Sequence, residues 1–130
     1  MQISLEKISS NDPKFEVAKE IRNTVFIIEQ EVSAEEEYDE FEDIATHYLA
    51  YYENEPAGTC RFRNTEKGVK LERFAVLKKH RLKNVASTLV QACLSELPDE
   101  SYIYLHSQVD AMPLYKKNGF INLDKPKGNT

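Results

Sequence analysis

The chain has 130 residues, 41% hydrophobic and 30% charged, with a net charge of −5. That fits one domain with its own core, and no apolar run comes near the roughly 20 residues of a membrane span. Two cysteines, Cys60 and Cys93, make neither a disulfide framework nor a metal cluster; they are expected as reduced, buried thiols of a cytoplasmic protein, and MQISLEKISS lacks the layout of a secretory leader.

Gln2–Ile8 alternates, with Ile3, Leu5 and Ile8 offered to one side, and predicts an opening strand. Ser9–Pro13 is turn chemistry, with Asn11 or Asp12 as helix cap and Pro13 at the first helical position. Phe15, Ala18, Ile21, Val25 and Ile28 recur at helical spacing, so a helix is expected to run to about Glu29. Glu29–Asp43 then holds nine acidic residues (Glu29, Glu31, Glu35, Glu36, Glu37, Asp39, Glu40, Glu42, Asp43) and no Lys or Arg. The rest of the chain is therefore net positive. A loop with a short helix near Ala34–Phe41 is expected in the acidic stretch.

Thr46–Tyr52, Ala57–Asn64 and Val69–Leu77 read as strands separated by turns at Asn54–Pro56 and Thr65–Gly68, and an antiparallel meander is the economical arrangement. The basic turn Lys78–Lys83 leads into a helix over about Asn84–Leu97, with Val85, Leu89, Ala92 and Cys93 at helical spacing and Pro98 as its stop. Tyr102–His106 is a strand expected parallel to Val69–Leu77, because a helix joins them. A helix over Ala111–Asn118, capped by Asp110 and stopped by Gly119, and a short strand at Phe120–Leu123 complete the order. Lys125–Thr130 reads as a frayed tail. The predicted class is α/β (α+β): a mixed, mostly antiparallel sheet of about six strands with helices on both faces.

A helix start presents unpaired N–H groups and partial positive charge, so the turn before Val85, with Lys78, Lys79, His80, Arg81 and Lys83, is a candidate anion site. On the turn alone, a solvated basic loop is the simpler explanation. The acidic stretch has the same two explanations, solvated surface or attraction for a cation. Nucleic-acid binding finds no support in an acidic chain without a base-stacking motif, and no NTPase phosphate loop is present.

Five stretches in order resemble the GNAT superfamily of acyl-CoA N-acyltransferases. They are Arg22-x-x-Val25-Phe26-x-x-Glu29-Gln30; Asp39-x-x-x-Asp43-x-x-x-His47; Gly58-Thr59-Cys60-Arg61; Glu72-Arg73-Phe74-Ala75-Val76 followed by Arg81-x-x-Asn84-x-Ala86; and Leu114-Tyr115-Lys116-Lys117-Asn118-Gly119-Phe120. The resemblance implies acetyl-CoA as donor substrate, a primary amine as acceptor and no metal. It implies that main chain at Phe74, Ala75 and Val76 holds the pantetheine and thioester. The N–H groups of Arg81, Leu82, Lys83, Asn84, Val85 and Ala86 would hold the pyrophosphate. Val76 would supply the oxyanion donor, Glu72 the base and Tyr115 the acid. Glu29 and His47 are second candidates for the base and the substrate-binding candidates on the acceptor side, and a cationic amine would be drawn to the acidic stretch.

Two departures stand out. Asn84 occupies a position the family gives to glycine, and ten residues after Phe120 leave little room for a further strand. Either the sheet is one strand short, or a partner copy supplies its edge as a homodimer. Those departures motivate an alternative, a non-catalytic acyl-CoA-binding or regulatory domain. Acyl-homoserine-lactone synthases share part of the pattern but are normally longer.

Overall fold

The computed structural model describes residues 2–33, 39–99, 101–107 and 111–121. Strands β1 (Ile3–Ile8), β2 (Thr46–Tyr52), β3 (Glu55–Asn64) and β4 (Val69–Val76) run antiparallel in chain order, and β5 (Ile103–Tyr104) joins β4 in parallel. This is the predicted meander plus one parallel strand.

The pleat sends alternate side chains to opposite faces. Tyr48 and Ala50 of β2 join one cluster with Cys60, Phe62 and Leu71, while Leu49 joins another with Ile8 and Ala75. Helix α2 (Val85–Glu96) covers the first face with Val85, Leu89 and Cys93. Helix α1 (Phe15–Arg22) covers the second with Phe15, Ala18 and Ile21. Leu49, Leu71 and Leu89 are fully buried, each contributing about 1.5–3 kcal/mol of apolar burial. Cys60 and Cys93 are buried free thiols with Sγ atoms 3.6 Å apart.

Several boundaries differ from the sequence-based expectation. Ile8 packs on the α1 face, opposite Ile3 and Leu5, because it stands an odd number of residues from them. Helix α1 begins at Phe15, and Asp12 caps a preceding turn through the Lys14 N–H (2.9 Å). Its continuation Asn23–Glu29 is a π-helix, with Gln30 N–H donating to the Val25 carbonyl five residues back. The β2–β3 turn is the pair Glu53–Asn54, both at positive φ (50° and 68°), the geometry of a tight two-residue hairpin. Glu55 and Pro56 therefore belong to β3. Strand β5 is two residues long rather than five.

Helix α3 (Met112–Lys117) ends as expected at Gly119, whose φ of 99° lets the Phe120 N–H reach back to the Tyr115 carbonyl. The predicted helix near Ala34–Phe41 falls mostly outside the described residues, as do the Asp110 cap, the tail and most of the strand at Phe120–Leu123. Among the described residues the sheet has five strands.

Candidate functional site

Strands β4 and β5 pair only at Val69↔Ile103 and Lys70↔Tyr104. Beyond Lys70 the β5-side edge of β4 has no strand neighbour among the described residues. The orientation of its peptide groups follows from the β3 side. Leu77 N–H donates to the Ala57 carbonyl (2.9 Å), so the N–H and C=O of Val76 point to the opposite edge, as do those of Phe74. The Val76 carbonyl is taken there by Arg81 Nε (2.8 Å).

A bulge marks the same stretch. Thr59 pairs with Ala75 but Arg61 pairs with Glu72, so β4 carries one residue more than β3 between those pairs. Arg73 absorbs the excess at φ 59°, in the left-handed region where a side chain is uncommon.

After β4 the chain makes a 3-10 turn at Lys78–His80 and enters α2. Leu82 and Asn84 have positive φ (66° and 71°), and Lys83 between them does not. Alternation of φ sign turns successive N–H groups toward one concavity, an anion nest. Asn84 thus adopts the backbone conformation for which glycine is the usual choice, and its side chain makes no capping bond. Gly58 lets α2 start close to the sheet: a Cβ there would lie 3.0 Å from the Ala75 carbonyl oxygen and 3.1 Å from Val85 Cγ1.

Tyr115 meets this edge from α3. Its ring stands edge-on to Phe74 (5.8 Å between centroids) and to Phe120 (6.1 Å). Burial, with the Cys60 and Cys93 thiols nearby, pushes its hydroxyl pKa well up, so it stays protonated at neutral pH. Asn118, at the end of α3, ties that helix to Ser87 (3.1 Å) and Gln91 (2.8 Å) of α2.

The opposite face of the sheet carries a buried ion cluster. Arg61 is 1% exposed. It donates to both oxygens of Asp39 (3.0 Å each) and to Glu72 (2.8 Å), and lies 3.2 Å from Glu42. Glu42 also receives a two-pronged bond from buried Arg22 (2.9 and 2.8 Å), and Arg73 reaches Asp39 (3.2 Å). Glu72 is held by Arg63 (2.7 Å) and Lys70 (3.4 Å) as well. Burial pushes the Glu72 carboxyl up, but bonds to Arg63 and Arg61 outweigh it and leave the pKa below its ordinary value. A base poised for neutral pH is shifted the other way. Asp39 is likewise raised by burial and lowered more strongly by Arg61, the Phe41 N–H and Arg73, to about 2.

His47 is buried, edge-on to Phe15, with Nε2 2.9 Å from the Glu42 carbonyl. A carbonyl only accepts, so Nε2 carries the proton, and burial lowers the ring's pKa. Glu29 pairs with Arg81 (2.7 Å). The structure thus brings Phe74, Val76, Arg81 and Tyr115 together, with Glu29 attached through Arg81. Glu72 stands across the sheet in the ion cluster, and His47 belongs to the interior of the α1 face. Arg22 and Arg61, both part of the motifs above, neutralise Glu42 and Asp39 of the acidic stretch, a role their motifs did not disclose. Arg63, which holds Glu72, has no place in those motifs, and its spacing two residues from Arg61 on β3 was the available signal. Among the described residues no cluster could hold a metal and no helix is long and apolar enough to cross a membrane.

A family model described as acetyltransferase (GNAT) domain matches residues 10–129. The uncharacterized N-acetyltransferase YjcF of Bacillus subtilis is 37% identical over 115 residues, 87% of this chain and 82% of its own. Among solved structures, Escherichia coli ElaA superposes with a TM-score of 0.79 at 20% identity, covering 98% of this chain and 95% of its own. A predicted acetyltransferase from Clostridium acetobutylicum, solved with acetyl-CoA, superposes at 0.69 and 13% identity, covering 99% and 96%. At those identities the structural likeness concerns the fold.

Proposed function

Because the chain belongs to the GNAT acetyltransferase family, we propose that it is an N-acetyltransferase moving the acetyl group of acetyl-CoA to a primary amine by direct attack. The observation that carries this reading is the open edge of β4 at Phe74 and Val76, flanked by the left-handed turn at Asn84 and by Tyr115. An extended pantetheine arm can pair with that edge as a strand would, and its pyrophosphate can rest on the N–H groups of Leu82–Ala86, that of Arg81 being given to the Lys78 carbonyl (3.3 Å).

In this reading the Val76 N–H faces the negative charge that develops on the thioester oxygen as the amine adds. The amine, with an ordinary pKa of about 10.4, arrives protonated and must lose a proton. Glu72 is the base in this reading, a weak one because Arg63 and Arg61 hold its pKa below the ordinary value; it relays the proton through water to solvent. Tyr115, kept protonated by burial, gives its proton to the departing CoA sulfur. The acceptor approaches from the acidic stretch. Asp39 and Glu42 there are already paired with arginines, so attraction for a cationic amine falls to exposed carboxylates such as Glu31 and Glu40.

One observation favours the alternative of a non-catalytic acyl-CoA-binding domain: Glu72, Glu29 and His47 each already have a partner. Thiol release from acetyl-CoA across a broad amine panel, run beside a binding titration, separates the two. Binding with release supports the transferase, and binding without release supports the alternative. A titration without acetyl-CoA binding sinks both.

A further inference from the structure

The left-handed turn raises a mechanical question. Leu82, at positive φ, is fully exposed, so no packing holds it there. Asn84 makes no side-chain cap. The turn is held by its neighbours: Arg81 ties it to the Val76 carbonyl and to Glu29, and a second set of contacts leads to the β2–β3 hairpin on the far side of β4.

We propose that the tip of this hairpin is the clamp that sets the phosphate-binding turn, with His80 and Glu55 as positioning residues. The proposal rests on the donor reading above and extends it to residues remote from the ligand's own contacts. His80 opens the turn and is 4% exposed. Its Nε2 lies 3.2 Å from Glu55 Oε1, and its ring is tilted against Tyr52 with centroids 5.5 Å apart. A carboxylate only accepts, so Nε2 is the donor. Lys79 reaches the same Glu55 oxygen at 3.1 Å. At the far end of the turn, Lys83 Nζ lies 4.8 Å from the centre of the Tyr52 ring.

Tyr52 and Glu55 are the residues flanking the two-residue hairpin turn. The residue entering the phosphate turn and Lys83 within it therefore both contact one short element. His80 Nδ1 is buried without a hydrogen-bond partner among the described residues. An apolar side chain would fill that space without stranding a nitrogen. What only the imidazole supplies is the bond to Glu55.

The test compares His80→Phe, which keeps the ring's bulk, and Glu55→Ala with wild type. Each is titrated with acetyl-CoA and with acetyl-pantetheine, which has the thioester arm but no pyrophosphate. Both variants are expected to lose acetyl-CoA affinity by roughly tenfold or more, the scale of one hydrogen bond to a charged group. Affinity for acetyl-pantetheine is expected to hold, a split that a general loss of structure would not produce. Wild-type affinity for acetyl-CoA in both variants, or parallel loss of both ligands, overturns the proposal. Should His80→Phe fail to fold, Glu55→Ala decides alone, since Glu55 is 54% exposed at its side chain. Wild-type protein that binds no acetyl-CoA would instead remove the donor reading, before any variant is compared.

Discussion

Substituting Asn84 asks whether the turn works through its backbone. At φ 71° and ψ 13° it occupies the left-handed well. That well costs an ordinary L-residue roughly 1–2 kcal/mol, and asparagine less. Asn84→Ala keeps the Cβ and loses asparagine's tolerance, so it should destabilise by about 1 kcal/mol. Asn84→Gly removes the steric penalty but adds about 0.5–1 kcal/mol of chain freedom in the unfolded state, so the two nearly cancel. With a urea slope of about 2 kcal/mol per molar, the alanine variant should unfold about 0.5 M earlier, and the glycine variant within about 0.25 M of wild type. Acetyl-CoA titration of Asn84→Gly should give wild-type affinity or slightly better, because no capping bond of the side chain is lost. An affinity drop of tenfold or more at unchanged stability would refute the argument, making the amide group itself the ligand. Equal stability of the two variants would refute its conformational half.

Tyr115→Phe should lower turnover about 10²-fold or more, the range of general-acid contributions, with acetyl-CoA affinity nearly unchanged; unaltered turnover removes Tyr115 from the mechanism. Glu72→Gln should also lower turnover per folded molecule, and a thiol-release rate equal to wild type would leave Glu72 a purely structural partner of Arg61 and Arg63. Arg61→Ala takes one cation from each of Asp39, Glu42 and Glu72, which keep Arg73, Arg22 and Arg63 respectively, and leaves a void at a fully buried site; it should destabilise, by about 3 kcal/mol, measured by urea unfolding. Asp39 titrates at about 2 in the folded protein against an ordinary 3.8. A depressed carboxyl contributes its stability fully above the unfolded value and loses it as pH falls through the folded one. Stability should therefore decline between about pH 4 and pH 2, and less steeply in Arg61→Ala; an identical acid profile would contradict the pairing.

The sheet was legible in the sequence because period-two alternation and turn residues speak for neighbours a few positions apart. Thr46–Tyr52 and the helix at Val85 stand where their spacing put them. Three features were not legible. The π-helical stretch Asn23–Glu29 buries Val25 but turns Ile28, which helical spacing puts on the same face, out to solvent at 65% exposure; periodicity assumes four-residue hydrogen bonding and does not foresee the wider turn. The short β5 follows from where β4 turns away, which depends on packing rather than on Tyr102–His106. Arg61 looks like an exposed strand residue until Asp39 and Glu42, about twenty residues away, are folded onto it. The candidate site divides the same way. Phe74, Val76, Asn84 and Tyr115 could be named from local motifs. The arginine hold on Glu72 and the hairpin contacts of His80 depend on pairings far apart in the chain.

The bulge at Arg73 has a bearing on inheritance. Because β4 has one residue in excess, Glu72 and Ala75 face the same side of the sheet although three positions separate them. A change of identity at residue 73 leaves that parity alone. A deletion there would flip the parity of everything on one side of it: Phe74 and Val76 would exchange roles with Ala75, and the edge facing Tyr115 would present the wrong peptide groups. A change of letter at this position costs the left-handed backbone's preference and the bond to Asp39, but a change of count costs the register itself. An insertion or deletion within Glu72–Val76 is thus the mark by which a descendant that has given up the site could be told from one that has merely drifted.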